Sequence, residues 1–186
     1  MEMSAASVQP ADQAQRAFAP MRESDLDEVA RLESTLYDFP WTRVNFADSL
    51  IAGYCCRVLF QDGVLVAYAV MMCVLDEAHL LNLSVAGSMQ RRGLGRLMLD
   101  HLAREAALYG AERMFLEVRP SNVAARAMYD AAAFQPIGRR PRYYPALDGR
   151  EDAIVMSAEL GEGWRAGFRA GSNEAMNEGT NERWRR

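Results

Sequence analysis

The chain has 186 residues, of which half are hydrophobic and a quarter charged, and this composition is typical of a folded globular domain. Its 21 basic and 25 acidic residues give a net charge of −4, which argues against a general nucleic-acid binder because such proteins carry a basic surface. All the basic residues are arginine, so the active-site lysines of pyridoxal enzymes and Walker-type NTPases are excluded.

Composition and spacing set three further expectations. The three cysteines form no C-x-x-C pair and only two histidines exist, so we expect reduced structural thiols and no metal site. The longest apolar run, Val64–Leu75, is too short to span a bilayer, and the first 16 residues have no apolar core of a signal peptide. We therefore expect a cytoplasmic protein with no membrane or nucleic-acid partner.

The ends of the chain differ from its middle. Residues 1–16 show no hydrophobic periodicity and are predicted to be a disordered lead, and the glycine-rich residues 161–186 are predicted to be a flexible tail. Within that tail, Trp164 and Phe168 stand four apart, the spacing at which one helical turn docks on a domain. Residues 17–160 are then expected to form one domain.

The first half of that domain alternates helix and strand signals. In chain order the pattern predicts a strand over 17–22, a helix capped near Ser24 and running to Leu36, a second helix capped by Thr42 and ended by Gly53, and two strands, 54–61 and 64–74, joined at Asp62-Gly63. A break at Phe39-Pro40-Trp41 separates the two helices.

In the second half of the domain, the sequence pattern predicts strands connected by crossover helices. Its elements are a strand over 80–85, a polar loop over 86–92, a helix over 93–109 ended by Gly110, a strand over 114–118, a helix from Asn122 to about Ala132, and closing strands over 134–143 and 153–158. The unit from Leu80 to Val118 should be a parallel, right-handed crossover. The expected fold class is α/β, with a mixed, mostly antiparallel sheet and helices on both faces.

The sharpest local motif is Gln90-Arg91-Arg92-Gly93-Leu94-Gly95-Arg96. It follows a predicted strand and opens a predicted helix, where free amide groups form an anion site and glycines let the backbone approach a ligand. Met98 occupies the place of the third glycine of a dinucleotide fingerprint. On spacing alone, a pyrophosphate loop and a plain turn with solvated arginines remain equally open.

A family resemblance decides between them. Gln90-x-x-Gly93-x-Gly95 resembles the pyrophosphate loop of the GNAT acetyltransferases, and Asn122, Ala125, Tyr129 and Phe134 resemble a second motif of that family at the expected distance. The resemblance covers residues 17–160. Two departures are Ala133, where the family usually has glycine, and Ala86–Met89, which replaces the usual entry to the loop.

Within this family, the chain most resembles the RimI family of ribosomal-protein-alanine N-acetyltransferases. The residues that carry this likeness are Phe39-Pro40-Trp41, Leu75–Ala78, Leu116–Arg119 with Ser121-Asn122, Tyr143-Tyr144-Pro145 and Asp148–Ile154. The resemblance implies transfer of acetyl from acetyl-CoA to the N-terminal alanine amine of a basic ribosomal protein, by direct attack. An enzyme acting on another amine, and a CoA-binding module without turnover, are the alternatives.

The resemblance also assigns roles to individual residues. It implies Glu117 as general base, Tyr129 as general acid, and three acceptor-binding residues, Trp41, Tyr143 and Tyr144. The residues implied to bind the cofactor are Leu83, Ser84, Val85, Arg91, Arg92, Gly93, Leu94, Gly95, Arg96 and Asn122. For three of these residues a purely structural role remains an open alternative. Glu117 could form an ion pair with an arginine, Tyr129 could be a core residue, and Asn122 could be a helix N-cap.

Overall fold

The computed structural model describes residues 14–161 and residue 164. These residues form two compact units. The first comprises the described residues up to Val70 together with Asn82–Gly95, and the second comprises Met71–Leu81 together with the described residues from Arg96 onward. The boundary divides two of the strands described below.

The chain contains seven strands, four α-helices and two short 3-10 turns within the described residues. The strands are β1 (Arg16–Pro20), β2 (Cys55–Gln61), β3 (Val64–Val74), β4 (Glu77–Val85), β5 (Arg113–Val118), β6 (Gln135–Ala146) and β7 (Gly149–Glu159). The helices are α1 (Leu26–Ser34), α2 (Arg43–Ile51), α3 (Leu94–Leu108) and α4 (Val123–Asp130), and the 3-10 turns are Glu23–Asp25 and Gly87–Met89.

The strands hydrogen-bond in the order β1-β2-β3-β4-β5-β7-β6. Pairing of β4 with β5 is parallel, with Leu80 opposite Leu116, and α3 lies between these strands in the chain. The pairs β1 with β2, β5 with β7 and β6 with β7 are antiparallel. The predicted mixed sheet and its parallel crossover are therefore confirmed.

Local turn chemistry explains most element boundaries. Asp62 and Gly63 adopt φ of 53° and 78°, the left-handed pair that a two-residue hairpin needs, and β2 and β3 flank them as predicted. Thr42 caps α2 by accepting a hydrogen bond from the amide of Asn45. Gly110, at φ 92°, follows α3 in the backbone conformation that glycine adopts most easily.

Several predicted boundaries were wrong. Ser24 does not cap the first helix; instead the amide of Arg22 donates to the Asp25 carboxylate at 2.7 Å and a 3-10 turn precedes α1. Strand β4 begins three residues earlier than predicted, at Glu77, because the turn falls at Leu75, whose φ is 56°. Strands β6 and β7 meet in a longer hairpin, since pairing continues to Ala146 opposite Gly149.

The core of the first unit is an aromatic and aliphatic cluster. Phe46 of α2 packs edge-on against Tyr68 of β3 at a centroid distance of 5.5 Å, and both are fully buried. In the second unit, α3 buries its apolar stripe, which consists of Met98, Leu99, Leu102, Ala103 and Ala106. Burial of these side chains supplies the main stabilisation of each unit.

The chain ends lie mostly outside the described residues. The predicted lead is described only from residue 14, and strand β1 begins at Arg16. Of the predicted tail only residues 161 and 164 are described. The guanidinium carbon of Arg96 lies 5.9 Å from the centroid of the Trp164 ring. In the described part of the chain, no helix is long and apolar enough to cross a membrane.

Candidate active site

The glycine loop of the first unit has the backbone shape that its sequence predicts. Arg91 and Gly93 take φ of 62° and 81°, and the side-chain amide of Gln90 donates to the carbonyl of Val85 at 3.1 Å, which ties the loop to the end of β4. A Cβ built on Gly93 would meet no heavy atom within 4 Å, so space above this residue is open. Amides at the start of α3 have no partner within the helix, so this loop fits an anionic group such as pyrophosphate.

The arginines of this motif are used differently from one another. Arg91 and Arg92 are exposed in the first unit. In the second unit, Arg96 pairs with Asp100 at 2.7 Å and donates to the carbonyl of Ala131 at 2.9 Å. Arg91 and Arg92 are therefore better placed than Arg96 to offer charge to a ligand.

The end of β4 makes a set of polar contacts with neighbouring parts of the first unit. Ser84 is buried, and its hydroxyl contacts the Tyr37 phenol oxygen at 2.9 Å and donates to the Asn82 side chain at 3.1 Å. The amide of Ala86 donates to Val66 at 2.9 Å, so it is already engaged. The family resemblance implies that Leu83, Ser84 and Val85 bind the cofactor through their backbone groups. The contacts of the buried Ser84 side chain are an addition that only the structure gives.

In the second unit, Glu117 lies on β5 with its side chain 22% exposed. The Arg140 guanidinium, whose side chain is 58% exposed, pairs with the Glu117 carboxylate at 3.1 Å. The phenol of Tyr144 donates to the main-chain carbonyl of Glu117 at 2.9 Å. The ion pair left open from the sequence is therefore present, and its cationic partner is a side chain that water reaches.

Tyr129 is 7% exposed on α4, and its ring centroid is 5.7 Å from that of Phe134. The side chain of Asn122 caps this helix by accepting a hydrogen bond from the amide of Ala125 at 3.1 Å. Tyr129 therefore occupies a core position and Asn122 is a helix N-cap, as the structural alternatives predicted. The roles of Tyr129 as acid and Asn122 as cofactor contact stay predictions.

The turn after α4 contains Ala133, where the family usually has glycine. This exposed residue takes φ of 63°, a left-handed conformation that favours glycine. An alanine is strained in this conformation and a glycine is not, so this departure from the family pattern has a local energetic cost.

The three predicted acceptor-binding aromatics lie in different surroundings. In the first unit, Trp41 is half-buried against Phe46, with ring centroids 5.4 Å apart. In the second unit, Tyr143 is 41% exposed and its ring centroid lies 5.6 Å from the Arg140 guanidinium, whereas the half-buried Tyr144 ring lies 4.3 Å from the Arg119 guanidinium. Of the two tyrosines, Tyr143 has the freer aromatic surface.

The acidic residues of the β6–β7 hairpin are engaged within the second unit. Glu151 accepts hydrogen bonds from the amide and hydroxyl of Ser121 at 2.8 and 3.0 Å and pairs with Arg119 at 3.3 Å. Partial desolvation acts to raise the pKa of Glu151, but these hydrogen bonds and the nearby guanidinium outweigh it and lower the pKa. Asp152 accepts from the amide of Arg142 at 2.9 Å. The charge of these two carboxylates is thus partly neutralised by groups of the same unit.

Sequence reasoning missed a buried carboxylate in the first unit. Glu33 of α1 is 2% exposed, and Tyr68 of β3 donates a short hydrogen bond to its Oε2. Burial, followed by the charge of Glu33 and this hydrogen bond, raises the pKa of Tyr68, so the phenol keeps its proton. A signal was available, because Glu33 lies on the apolar stripe of α1, four residues after Val29 and seven after Leu26.

Cys56 is not an activated nucleophile in this geometry. Cys56 is buried and burial raises the pKa of its thiol to about 11, with Arg57 opposing the shift. A thiol of that pKa carries almost no thiolate at neutral pH. Among residues 14–161 and 164, no group of three or more His, Cys, Asp and Glu side chains is arranged to hold a metal ion.

A surface cavity of about 410 Å³ lies in the second unit, and it contains neither Glu117 nor Tyr129. Its lining residues are Arg96, Asp100, Arg104, Ala131, Ala132, Ala133 and Trp164. The two residues predicted to be catalytic therefore do not line it, and its size alone does not make it the reaction site.

Comparisons with known proteins identify the family of this chain. The profile of the acetyltransferase (GNAT) family matches residues 22–134. The chain is 41% identical over 143 residues to an Escherichia coli protein named [ribosomal protein bS18]-alanine N-acetyltransferase, which covers 77% of this chain and 97% of that protein.

Two solved structures are similar as well. The ribosomal-protein-S18-alanine N-acetyltransferase from Escherichia coli has a TM-score of 0.74 and 38% identity, covering 78% of this chain and 94% of that one. The yncA protein of Salmonella typhimurium, solved with its cofactor acetyl-CoA, has a TM-score of 0.66 over 79% of this chain and 95% of that one, and at 18% identity it shows the fold alone. This chain belongs to the acetyltransferase (GNAT) family.

Proposed function

We propose that this protein transfers acetyl from acetyl-CoA to the α-amino group of the N-terminal alanine of a ribosomal protein. The observation that carries the proposal is the 41% identity to the Escherichia coli enzyme of that name, which extends over 97% of the enzyme's length. A match of that extent is far longer than a shared cofactor motif. We expect the reaction to take place in the cytoplasm.

The donor is assigned to the glycine loop of the first unit. Open space above Gly93, the exposed guanidinium groups of Arg91 and Arg92, and the amides at the start of α3 suit the pyrophosphate of CoA. Backbone amides at the end of β4 are assigned to the thioester oxygen, whose negative charge grows during attack.

Proton transfer is assigned to two residues of the second unit. The acceptor nitrogen forms a bond to the acetyl carbon as the carbon–sulfur bond breaks. Glu117 accepts a proton from the amine, directly or through a water, and Tyr129 gives its proton to the departing CoA thiolate. An α-amine has a pKa of roughly 7.7–8.0, so only a modest base is needed.

The acceptor is assigned to aromatic surface. Trp41 in the first unit and Tyr143 and Tyr144 in the second all keep part of their surface exposed, and Tyr143 is the most exposed of the three. Because the hairpin carboxylates are already engaged, aromatic contact supports peptide binding better than bulk charge attraction does.

The test is thiol release from acetyl-CoA by the full-length protein in the presence of a basic peptide that begins with alanine. We expect turnover with this peptide and none with the same peptide acetylated at its N-terminus. Mass spectrometry of the product should place the added acetyl on the α-amine.

Three outcomes would contradict the proposal in different ways. Acetylation only at a lysine side chain would favour another acceptor class. Turnover with a polyamine but with no peptide would do the same. Acetyl-CoA binding by calorimetry without turnover on any amine would favour a non-catalytic module.

A further inference from the structure

Glu33 belongs to a closed ring of side-chain and main-chain contacts in the first unit. One carboxylate oxygen of Glu33 accepts hydrogen bonds from the main-chain amide of Trp41 at 3.0 Å and from the side-chain amide of Asn82 at 3.2 Å. The other oxygen accepts from the Tyr68 phenol. The Trp41 ring packs on Phe46, and Phe46 packs on Tyr68, which returns to Glu33.

These contacts join parts of the chain that are far apart in sequence. Glu33 is 35 residues from Tyr68 and 49 from Asn82. A buried carboxylate is costly unless it is fully hydrogen-bonded, and all three of these donors are neutral groups. The charge of such a residue adds little to the stability of the fold. The main effect of Glu33 is therefore to fix the relative positions of its three hydrogen-bond donors.

The two functional segments near Glu33 are held to different degrees by the rest of the fold. Asn82 lies within β4, whose ladder hydrogen bonds fix the strand. Residues 38–41 lie between α1 and α2 with no helix or strand of their own. The bond from the Trp41 amide to Glu33 therefore restrains the segment that has the least support otherwise.

We propose that Glu33 is a positioning residue for the acceptor, which fixes the Phe39–Trp41 segment relative to the end of β4 within the first unit. The proposal rests on the proposed function, because it takes Trp41 as an acceptor contact and Leu83–Val85 as a donor contact. Glu33 touches neither substrate in this account. Its effect comes through Trp41 and Asn82.

Two substitutions separate geometry from charge. Glu33→Gln removes the charge but keeps one oxygen at the same reach as the acceptor for Trp41 and Asn82. Its NH2 group then faces the Tyr68 oxygen and donates to it, which reverses the direction of that hydrogen bond. Glu33→Asp keeps the charge but draws the carboxylate back by one methylene, beyond hydrogen-bond reach of the Trp41 amide. Ser49→Ala is the matched control, because Ser49 is also buried in the first unit and its hydroxyl bonds only within α2, to the Asn45 carbonyl at 2.8 Å.

For the full-length protein we expect Glu33→Gln and Ser49→Ala to keep the wild-type KM for the alanine-starting peptide within about threefold. Glu33→Asp should raise this KM about tenfold, since a small displacement of a binding segment weakens productive binding, while kcat and the affinity for acetyl-CoA stay close to wild type. The pH profile should not change in any of these variants, because no proton moves through Glu33.

A second readout does not depend on activity. In a background that carries Trp164→Phe and Trp184→Phe, the remaining Trp41 reports on its own segment by fluorescence. Glu33→Asp should shift its emission to the red and increase acrylamide quenching, and Glu33→Gln should leave both unchanged.

The outcomes are distinguishable. If Glu33→Gln loses activity while Glu33→Asp keeps it, the charge matters and the proposal is wrong. If both variants only lower the thermal midpoint, with peptide KM and Trp41 emission unchanged, Glu33 is a structural residue and the proposal is wrong. If the wild-type protein acetylates no peptide, the proposed function fails, and the Trp41 emission still tests whether Glu33 fixes this segment.

Discussion

Two glutamates of this protein, one in each unit, differ in how completely the fold satisfies them. Glu33 is 2% exposed and accepts hydrogen bonds from three neutral groups fixed in its own unit. Glu117 is 22% exposed and pairs with an arginine that is 58% exposed. A buried carboxylate with all its hydrogen-bond partners in place, such as Glu33, holds other groups in position. A carboxylate whose partner can move aside, such as Glu117, can bind a new cation and accept its proton.

The largest expected effect is at Glu117. Glu117→Gln should lower kcat/KM for the peptide about a hundredfold near neutral pH, and less at high pH, where the amine has already lost its proton. Tyr129→Phe should slow thiol release at every pH below the phenol pKa. If both variants keep the wild-type pH–rate profile, neither residue transfers a proton, and Glu117 would not differ from Glu33 in function.

The next effect is expected at the glycine loop. Gly93→Val should weaken acetyl-CoA binding about tenfold or more in calorimetry, because a side chain would occupy the open space above the loop. Gly110→Val is the matched control: Gly110 has a similar φ of 92° and the same open surroundings, so the backbone strain is comparable. Equal CoA affinity in both folded variants would refute the phosphate-loop assignment.

A smaller effect is expected at the paired tyrosines of the second unit. Tyr143→Ala should raise the peptide KM about threefold to tenfold, because it removes an open aromatic surface. Tyr144→Phe keeps the ring and removes only the hydroxyl that supports the Glu117 carbonyl, so it should lower kcat without changing the peptide KM. The reverse pattern would make Tyr144 the acceptor contact.

Removing the ion pair should change peptide binding modestly. Arg140→Ala is expected to lower the peptide KM about twofold to threefold, because the guanidinium no longer competes with the substrate ammonium for Glu117. Arg139→Ala is its control, since Arg139 is similarly exposed and pairs instead with Asp152 at 3.8 Å. A raised KM in Arg140→Ala alone would show that this arginine supports acceptor binding.

The smallest expected effect concerns stability alone. Ala133→Gly should relieve the left-handed strain and stabilise the fold by about 1 kcal/mol or less, because the strain cost is partly offset by the entropy of glycine in the unfolded chain. Thermal unfolding measures this gain, and kcat should be unchanged. A lower thermal midpoint would mean that the alanine methyl contributes packing that outweighs the strain.

The sequence by itself determined the features that depend on neighbouring residues. The hairpin at Asp62-Gly63, the cap at Thr42, the end of α3 at Gly110 and the mixed sheet all agree with the prediction, because turn conformation, capping and hydrophobic periodicity act over a few residues. The resemblance of short motifs likewise identified the family. The Ser24 cap failed because Asp25 formed a competing local hydrogen bond to Arg22.

Only the tertiary structure decided which distant side chains meet. The contact of Glu33 with Asn82 spans 49 residues, and that of Tyr144 with Glu117 spans 27. The pairing of Arg140 with Glu117 likewise needs β6 and β5 to be brought together through β7. Such partners are chosen by strand register and by the packing of a folded core, and a one-residue change in register would turn every side chain of a strand to the other face.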